Sequence, residues 1–378
     1  MMECEPRHHK YTFWAMIMTL FLMLLGFRRT CAVREIELNL RSNKTSGKFN
    51  ESSLVSKKSF LGGCRRFAMV PISAGAGLGH RFGEVVFGML LAERTNSTFI
   101  LHDTRLYGSG RHGSYSWFRS FLPLSKTEYT WAEYQSKMAT LGINNTVQEI
   151  TFDEITTGDN HTQCNIFLSA SSKSCCVNNQ KKGNCGCFTA LHGAYDQIQW
   201  RLKEAHALST FQTTLDAYNG LENKIIVAWH IRSGDKTLHR GNKAYFETIT
   251  SQIVALSVGI PLELFFIGEN VKTEFSFLES ICFNHSKTCT YPEMKSDNSF
   301  YHLVHSDVLI TSGSSFAYAA AMFHEGIVLN AIPKEGGHGG IFELSQHGQI
   351  NSEGAIIRPS LSQLYHQLRT LYVKKLNL

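Results

Sequence analysis

No run of like charge interrupts this 378-residue chain: a net charge of +6 is spread along its length, leaving no basic stripe for nucleic acid. No internal repeat recurs, which excludes a solenoid or propeller. No Asp-x-Asp occurs, so the usual carboxylate clamp for a metal on a diphosphate is missing. Two phosphate-binding fingerprints are broken as well. After Gly75 and Gly77 the glycine that a dinucleotide motif requires is His80, and no Lys-Ser/Thr pair follows a spaced glycine as a P-loop needs. NAD chemistry is thereby disfavoured.

Long apolar runs are equally scarce, with one exception. Tyr11 to Phe27 is a stretch of 17 residues without a charge, bounded by Arg7 and Lys10 before it and by Arg28 and Arg29 after it. As a helix it spans about 25 Å, the low end of a bilayer core. A secretory signal peptide is the rival reading, because Ala32 follows shortly after; the run is longer than the ordinary apolar region of such peptides. Arg28, Arg29 and Arg34 outnumber the basic residues ahead of the segment, an asymmetry that opposes a lumenal body. Six Asn-x-Ser/Thr acceptors outweigh it: Asn43, Asn50, Asn96, Asn144, Asn160 and Asn284 all lie downstream, and glycosylation is lumenal chemistry. The expected topology is a cytosolic tail (1–10), one membrane helix (11–27) and a stem (28–63), with the body in the Golgi lumen.

Eight of the ten cysteines lie in that body, and Cys164, Cys175, Cys176, Cys185 and Cys187 crowd one stretch. No histidine falls among them, so disulfides are favoured over a zinc site. With Cys64 they make six, whose connectivity spacing does not resolve. Cys282 and Cys289 read as a local pair.

Apolar, β-rich runs alternate with helical patterns, the signature of α/β units on parallel sheets. Strands are predicted at Arg66 to Ile72, Thr98 to His102, Lys224 to Ile231, Leu262 to Gly268, Val308 to Thr311 and Ile327 to Ile332. Helices are predicted at Glu84 to Arg94, Lys243 to Leu256 and Ser315 to Phe323. An amphipathic helix from Ser360 to Lys374 closes the chain. The body is too long for one ordinary core, and Gly220 with its polar neighbours marks a boundary between domains at 64–219 and 220–378.

Three segments carry the candidate chemistry. In IIVAWHIRSGDK a buried-looking strand ends in His230, Arg232, Asp235 and Lys236, where open α/β sheets bind ligands; Arg232 can fork onto a phosphate and Lys236 adds a point charge. The bland alternative is a salt-bridged strand end. In HSDVLITSGSSFAYAAAMF a strand runs through Ser312 and Gly313 into Ser314 and Ser315, which cap an Ala-rich helix whose free N–H groups attract a diphosphate; capping alone also explains the serines. The third segment holds Gly75, Gly77, Gly79 and Gly83 with His80, Arg81 and Glu84 facing a ligand, or else glycines demanded by close packing. The loop Arg105 to Phe121, rich in glycine, aromatic and basic residues, reads as a carbohydrate-stacking element or as core.

These three segments resemble, in order, the Gly-rich opening, the central His-x-Arg-x-Gly/Thr-Asp motif and the later Asp…Ser-Ser-Phe motif of the α1,2, α1,6 and protein O-fucosyltransferase superfamily. The resemblance spans Gly75 to Phe323. It implies a GT-B fold, two Rossmann-like domains facing a cleft, with GDP-fucose held by the C-terminal half and an inverting transfer that uses no metal or other cofactor. It implies that Arg232 binds the diphosphate, with His230, Asp235, Lys236 and Asp307 around the donor. Ser314, Ser315 and Phe316 close over the phosphates, and Gly77, Gly79, His80 and Arg81 approach from the other half. Arg232-Ser233 departs from the Arg-Arg of the α1,2 and α1,6 enzymes. Glu84, Asp103 and Glu247 are the candidate bases, and the acceptor is a glycan or glycoprotein.

Overall fold

A computed structural model describes residues 66–70, 72, 76–110, 113–141, 146–149, 166–169, 192–232, 242–285, 287, 289–331 and 347–377, all within the compact unit Lys57–Leu378. The apolar segment Tyr11 to Phe27, the stem, the cysteine cluster with Cys64, the sequons at Asn43, Asn50, Asn144 and Asn160, and Gly75, Asp235 and Lys236 lie outside the described residues. Among the described residues no helix is long and apolar enough to cross a membrane.

The N-terminal sheet comprises β1 (Arg66–Met69), β2 (Thr98–Leu101), β5 (Tyr129–Thr130), β6 (Thr146–Glu149) and β7 (Ile166–Ser169). Its order is β5-β2-β1-β7-β6, and each pairing is parallel. Between β2 and β5 a small hairpin, β3 (Ser109–Gly110) with β4 (Gly113–Ser114), stands apart. Helices α1 (Leu78–Arg94), α2 (Asp103–Tyr107), α3 (Ser116–Phe121), α4 (Trp131–Leu141) and α5 (His192–Ala207) complete this half.

The C-terminal sheet comprises β8 (Ile225–His230), β9 (Leu262–Ile267), β10 (Cys289–Thr290), β11 (Val308–Ile310), β12 (Ile327–Ala331), β13 (Gly348–Ile350) and β14 (Ile356–Arg358), in the order β10-β9-β8-β11-β12-β13-β14. Only β13–β14 is antiparallel. Around it lie α6 (Lys243–Leu256), α7 (Val271–Glu274), α8 (Phe277–Asn284), α9 (Ser296–Val304), α10 (Ser315–Ala321) and α11 (Leu361–Leu376).

Period-two alternation explains why β8 is buried at every position. Ile226 and Ala228 enter one core; Ile225, Val227 and Trp229 enter a second on the opposite face. β9 repeats the division, with Phe265 and Ile267 on the first side and Leu262, Leu264 and Phe266 on the other. The first core runs on into the N-terminal half. Phe118 and Phe121 of α3 pack on Phe300 of α9 at ring distances of 5.6 and 5.1 Å, and Phe82 of α1 lies 5.7 Å from Phe323.

The strand and helix expectations are met with small shifts. The closing helix is capped at both sides of its first turn: Ser360 Oγ accepts the Gln363 N–H, and the Gln363 side chain accepts the Ser360 N–H in return. Leu364 and Leu368, one turn apart, bury its apolar face. Cys282 and Cys289 are disulfide-bonded. One expectation fails by six residues: α1 begins at Leu78, so Gly79, His80, Arg81 and Gly83 belong to the helix rather than to a loop before it.

Candidate functional site

Counted in chain order, the strands of the C-terminal sheet outward from β8 run 3-2-1-4-5-6, with β14 added at the edge. In such a sheet the connections after β8 and β11 leave in opposite directions, and the crevice between their carboxyl ends is the natural ligand site. Here β8 ends at His230 and β11 opens into Thr311, Ser312, Gly313 and Ser314. Nδ1 of His230 lies 3.0 Å from Ser312 Oγ, closing the two strand ends against each other. Burial, reinforced by the Arg232 guanidinium, lowers the His230 pKa to about 3, so this imidazole is a neutral hydrogen-bonding group. Its ring packs 5.7 Å from that of Phe316, which in turn meets Phe300 edge-on at 5.3 Å. Arg232 follows two residues after His230 and is half-buried.

Gly313 adopts φ +72°, a left-handed conformation that favours glycine, and turns the chain into α10. Ser314 then caps the helix, its Oγ accepting the Phe316 N–H at 3.3 Å. The start of α1 sits directly on this turn. A Cβ on Gly79 would lie 2.2 Å from the Ser315 carbonyl carbon and 2.4 Å from the Phe316 nitrogen. Two strand-to-helix turns from different sheets therefore meet backbone to backbone. Gly77 begins α1 without a side-chain cap, and no acidic residue lies in its first turn, so its leading N–H groups suit an anion.

The expected site residues do not all gather there. Arg81 does not face a ligand: it is 1 % exposed, and its guanidinium donates to the carbonyls of Ala76 (3.0 Å), Arg105 (2.6 Å), Gly108 (2.9 Å) and Ser109 (2.6 Å). It ties α1 to the end of α2 and to the β3–β4 hairpin. Asp307 is at the wrong end of the sheet. It precedes β11, where its Oδ2 accepts the Ile226 N–H and pairs with Lys375 of α11, each at 2.7 Å. It fastens the amino edge and does not reach the carboxyl ends. Glu84 is buried in the second turn of α1, 3.9 Å from the half-exposed His80. Glu247 is half-buried in the second turn of α6. Asp103 pairs with Arg119 at 3.4 Å.

Most aromatic side chains of the segment from Arg105 to Phe121 belong to the core. Tyr107, Tyr115, Phe118 and Phe121 are at most 3 % exposed, and Tyr115 lies beneath Arg81, whose guanidinium carbon is 5.2 Å from the ring centre. Ser312, which bonds His230, was not among the residues the sequence assigned to the expected donor cluster. It stands inside the Ser-rich run, but nothing in the spacing showed that it would bond His230.

No protein-family model matches the sequence, and no curated protein does. Solved structures with a similar arrangement include the fucosyltransferase NodZ from Bradyrhizobium, at 12 % identity and a TM-score of 0.35 over 70 % of this chain and 94 % of that one. A POFUT1 complex with GDP gives 12 % and 0.34 over 69 % and 95 %. The E. coli ADP-heptose lipopolysaccharide heptosyltransferase II gives 10 % and 0.39 over 82 % and 99 %.

Proposed function

We propose that this protein transfers fucose from GDP-fucose to a glycan or glycoprotein acceptor, with inversion and without a metal. The observation that carries the proposal is the joining of the β8 and β11 ends by the His230–Ser312 contact, with Arg232 beside it at the switch point of a nucleotide-binding type of sheet. The donor's identity rests on the three-motif resemblance.

Chemically, departure of a nucleoside diphosphate needs positive charge at the developing anion. Arg232 supplies it from a partly buried position, Lys236 is four residues further along, and the uncapped start of α1 adds oriented N–H groups. Neutral His230 with Ser312 fixes a donor hydroxyl or phosphate oxygen rather than titrating. The acceptor hydroxyl must lose a proton. His80, backed by Glu84, is the preferred acceptor of that proton, because His80 directly follows Gly79, which rests on Ser315, and Glu84 lies one turn after His80 on α1. Glu247 remains the alternative.

The described sequons fit a lumenal body. Asn96, at φ +47°, lies in the turn from α1 to β2, and Asn284 ends α8 ahead of β10. Both are exposed helix-to-strand turns, which in parallel sheets belong to the amino edge, so glycans there leave the carboxyl edge open. The proposed setting is a Golgi membrane, with Tyr11 to Phe27 as a single type II anchor.

The test is turnover by the full-length protein in detergent with a panel of labelled nucleotide sugars and chelator present. Preference for GDP-fucose is expected, with loss in Arg232→Ala. Preference for another nucleotide sugar would replace the donor assignment, and glycan binding without turnover of any donor would make the chain a carbohydrate-binding protein on this scaffold.

A further inference from the structure

At the amino ends of β12 and β13, on the edge opposite the donor site, lies a cavity of about 430 Å³ whose lining includes Lys203, His324, Glu325, His347 and Gln367. Its two histidines are held differently. His324 is fully occupied: Nδ1 accepts the Gly326 N–H at 3.0 Å, and Nε2 lies 3.1 Å from Ser306 Oγ, whose own proton goes to the Leu303 carbonyl. It is wall.

His347 is 3 % exposed and keeps one nitrogen unused. Thr311 donates its hydroxyl to Oδ1 of Asn330 at 3.3 Å, which orients the Asn330 amide so that Nδ2 donates to His347 Nδ1 at 3.2 Å. With Nδ1 accepting, the proton of the neutral ring sits on Nε2, which has no partner among the described residues. Arg358 fixes the backbone at this point with two bonds to the His347 carbonyl, 3.2 and 2.7 Å. Burial is the main reason that both rings stay neutral, lowering His324 to about 4 and His347 to about 3.

We propose that this cavity is a second carbohydrate site, taking one or two sugar rings through their hydroxyls, separate from the transfer site. Its lining mixes donors (His347 Nε2–H, Lys203, the Gln367 amide) with acceptors (the Glu325 carboxylate, the Gln367 carbonyl). A hydroxyl is both donor and acceptor and satisfies such a lining. Lys203 and Glu325 place one charge of each sign in the lining, which suits neither a bare anion nor a bare cation, and a metal ion would also meet the Nε2–H of His347. The volume lies within the ordinary range of small-ligand sites.

The test is saturation-transfer NMR and calorimetry on the full-length protein in detergent, with chitobiose, mannobiose and lactose as probes at millimolar concentration and with saturating GDP present to occupy the donor site. At least one disaccharide is expected to bind. His347→Phe, which replaces the Nε2–H donor with apolar bulk, should weaken that binding by roughly tenfold or more; His347→Gln, which keeps a donor, should retain most of it. If His347→Phe does not fold, the exposed pair Lys203→Ala and Glu325→Ala carries the test and should also weaken binding. Absence of binding by all three sugars, or binding unchanged in these variants, would overturn the proposal.

Discussion

The turns that open α1 and α10 both follow a parallel strand and both are built from small residues, yet their chemistry diverges. At α10 the small residues are polar and capped: Gly313 turns the chain, Ser314 accepts the Phe316 N–H, and Ser312 reaches across to His230. At α1 the glycines make room. Gly79 lets the helix rest on the Ser315–Phe316 backbone, and Arg81, three residues after the turn's leading N–H, is spent on loop carbonyls instead of on a ligand. A Gly-rich strand-to-helix turn with a basic residue is thus a packing device in one half, and it serves the site by positioning what lies opposite.

The largest effect expected from breaking this comparison is at Gly79. In Gly79→Val a side chain would start 2.2 Å from backbone, where nothing flexible can give way. A loss of more than about 3 kcal/mol is expected in denaturant unfolding. A variant as stable as wild type would show that α1 and α10 do not pack this way. Next comes Arg81→Met, which leaves the carbonyls of Ala76, Arg105, Gly108 and Ser109 without their cation. About 2–3 kcal/mol should be lost, while GDP affinity changes little. A selective loss of GDP binding with stability intact would return Arg81 to the donor site.

Much of this was legible in the sequence. The β8 and β9 runs announced buried parallel strands, and Ser360 announced the start of the closing helix. The segments around Arg232 and Ser314 fall at strand ends, where open parallel sheets lead one to expect a ligand. What was not legible was tertiary. Nothing local distinguishes an arginine facing a phosphate from one swallowed by four carbonyls. Asp307 reads as part of the Ser-rich motif, but a three-residue strand separates it from Ser312 by the full height of the sheet. The aromatic run from Tyr107 to Phe121 suits either stacking on sugars or filling a core, and only the opposing Phe300 and Phe323 decide for the core.

An effect that is smaller per residue sharpens the comparison through pH. His230, His324 and His347 are buried and neutral, with pKa values lowered to about 3, 4 and 3 by desolvation before any other cause. The unfolded chain binds their protons from about pH 6.5 downward, whereas the folded one resists until pH 3–4. Stability should therefore be fully present above about pH 6.5 and fall as pH drops through that window, by up to about 1.4 kcal/mol per pH unit for each histidine. Unfolding midpoints measured from pH 7 to 5 check this; no acid-side loss would mean that these rings are not buried neutral. The smallest effect is Ser312→Ala, which removes the partner of His230 Nδ1 while leaving the α10 cap in place. About 1 kcal/mol should be lost from GDP binding, roughly a fivefold weakening by calorimetry, against almost none for Ser314→Gly, since glycine is nearly as good a cap.

The most direct test of the central claim is calorimetric titration of GDP, with chelator present, into the full-length protein and into Arg232→Ala. Wild type should bind without a divalent cation, and Arg232→Ala should bind more weakly by about 2 kcal/mol, some thirtyfold, at unchanged stability. Equal affinity in the two proteins, or binding that appears only when a divalent cation is supplied, would contradict the assignment of the β8–β11 crevice as a metal-independent diphosphate site.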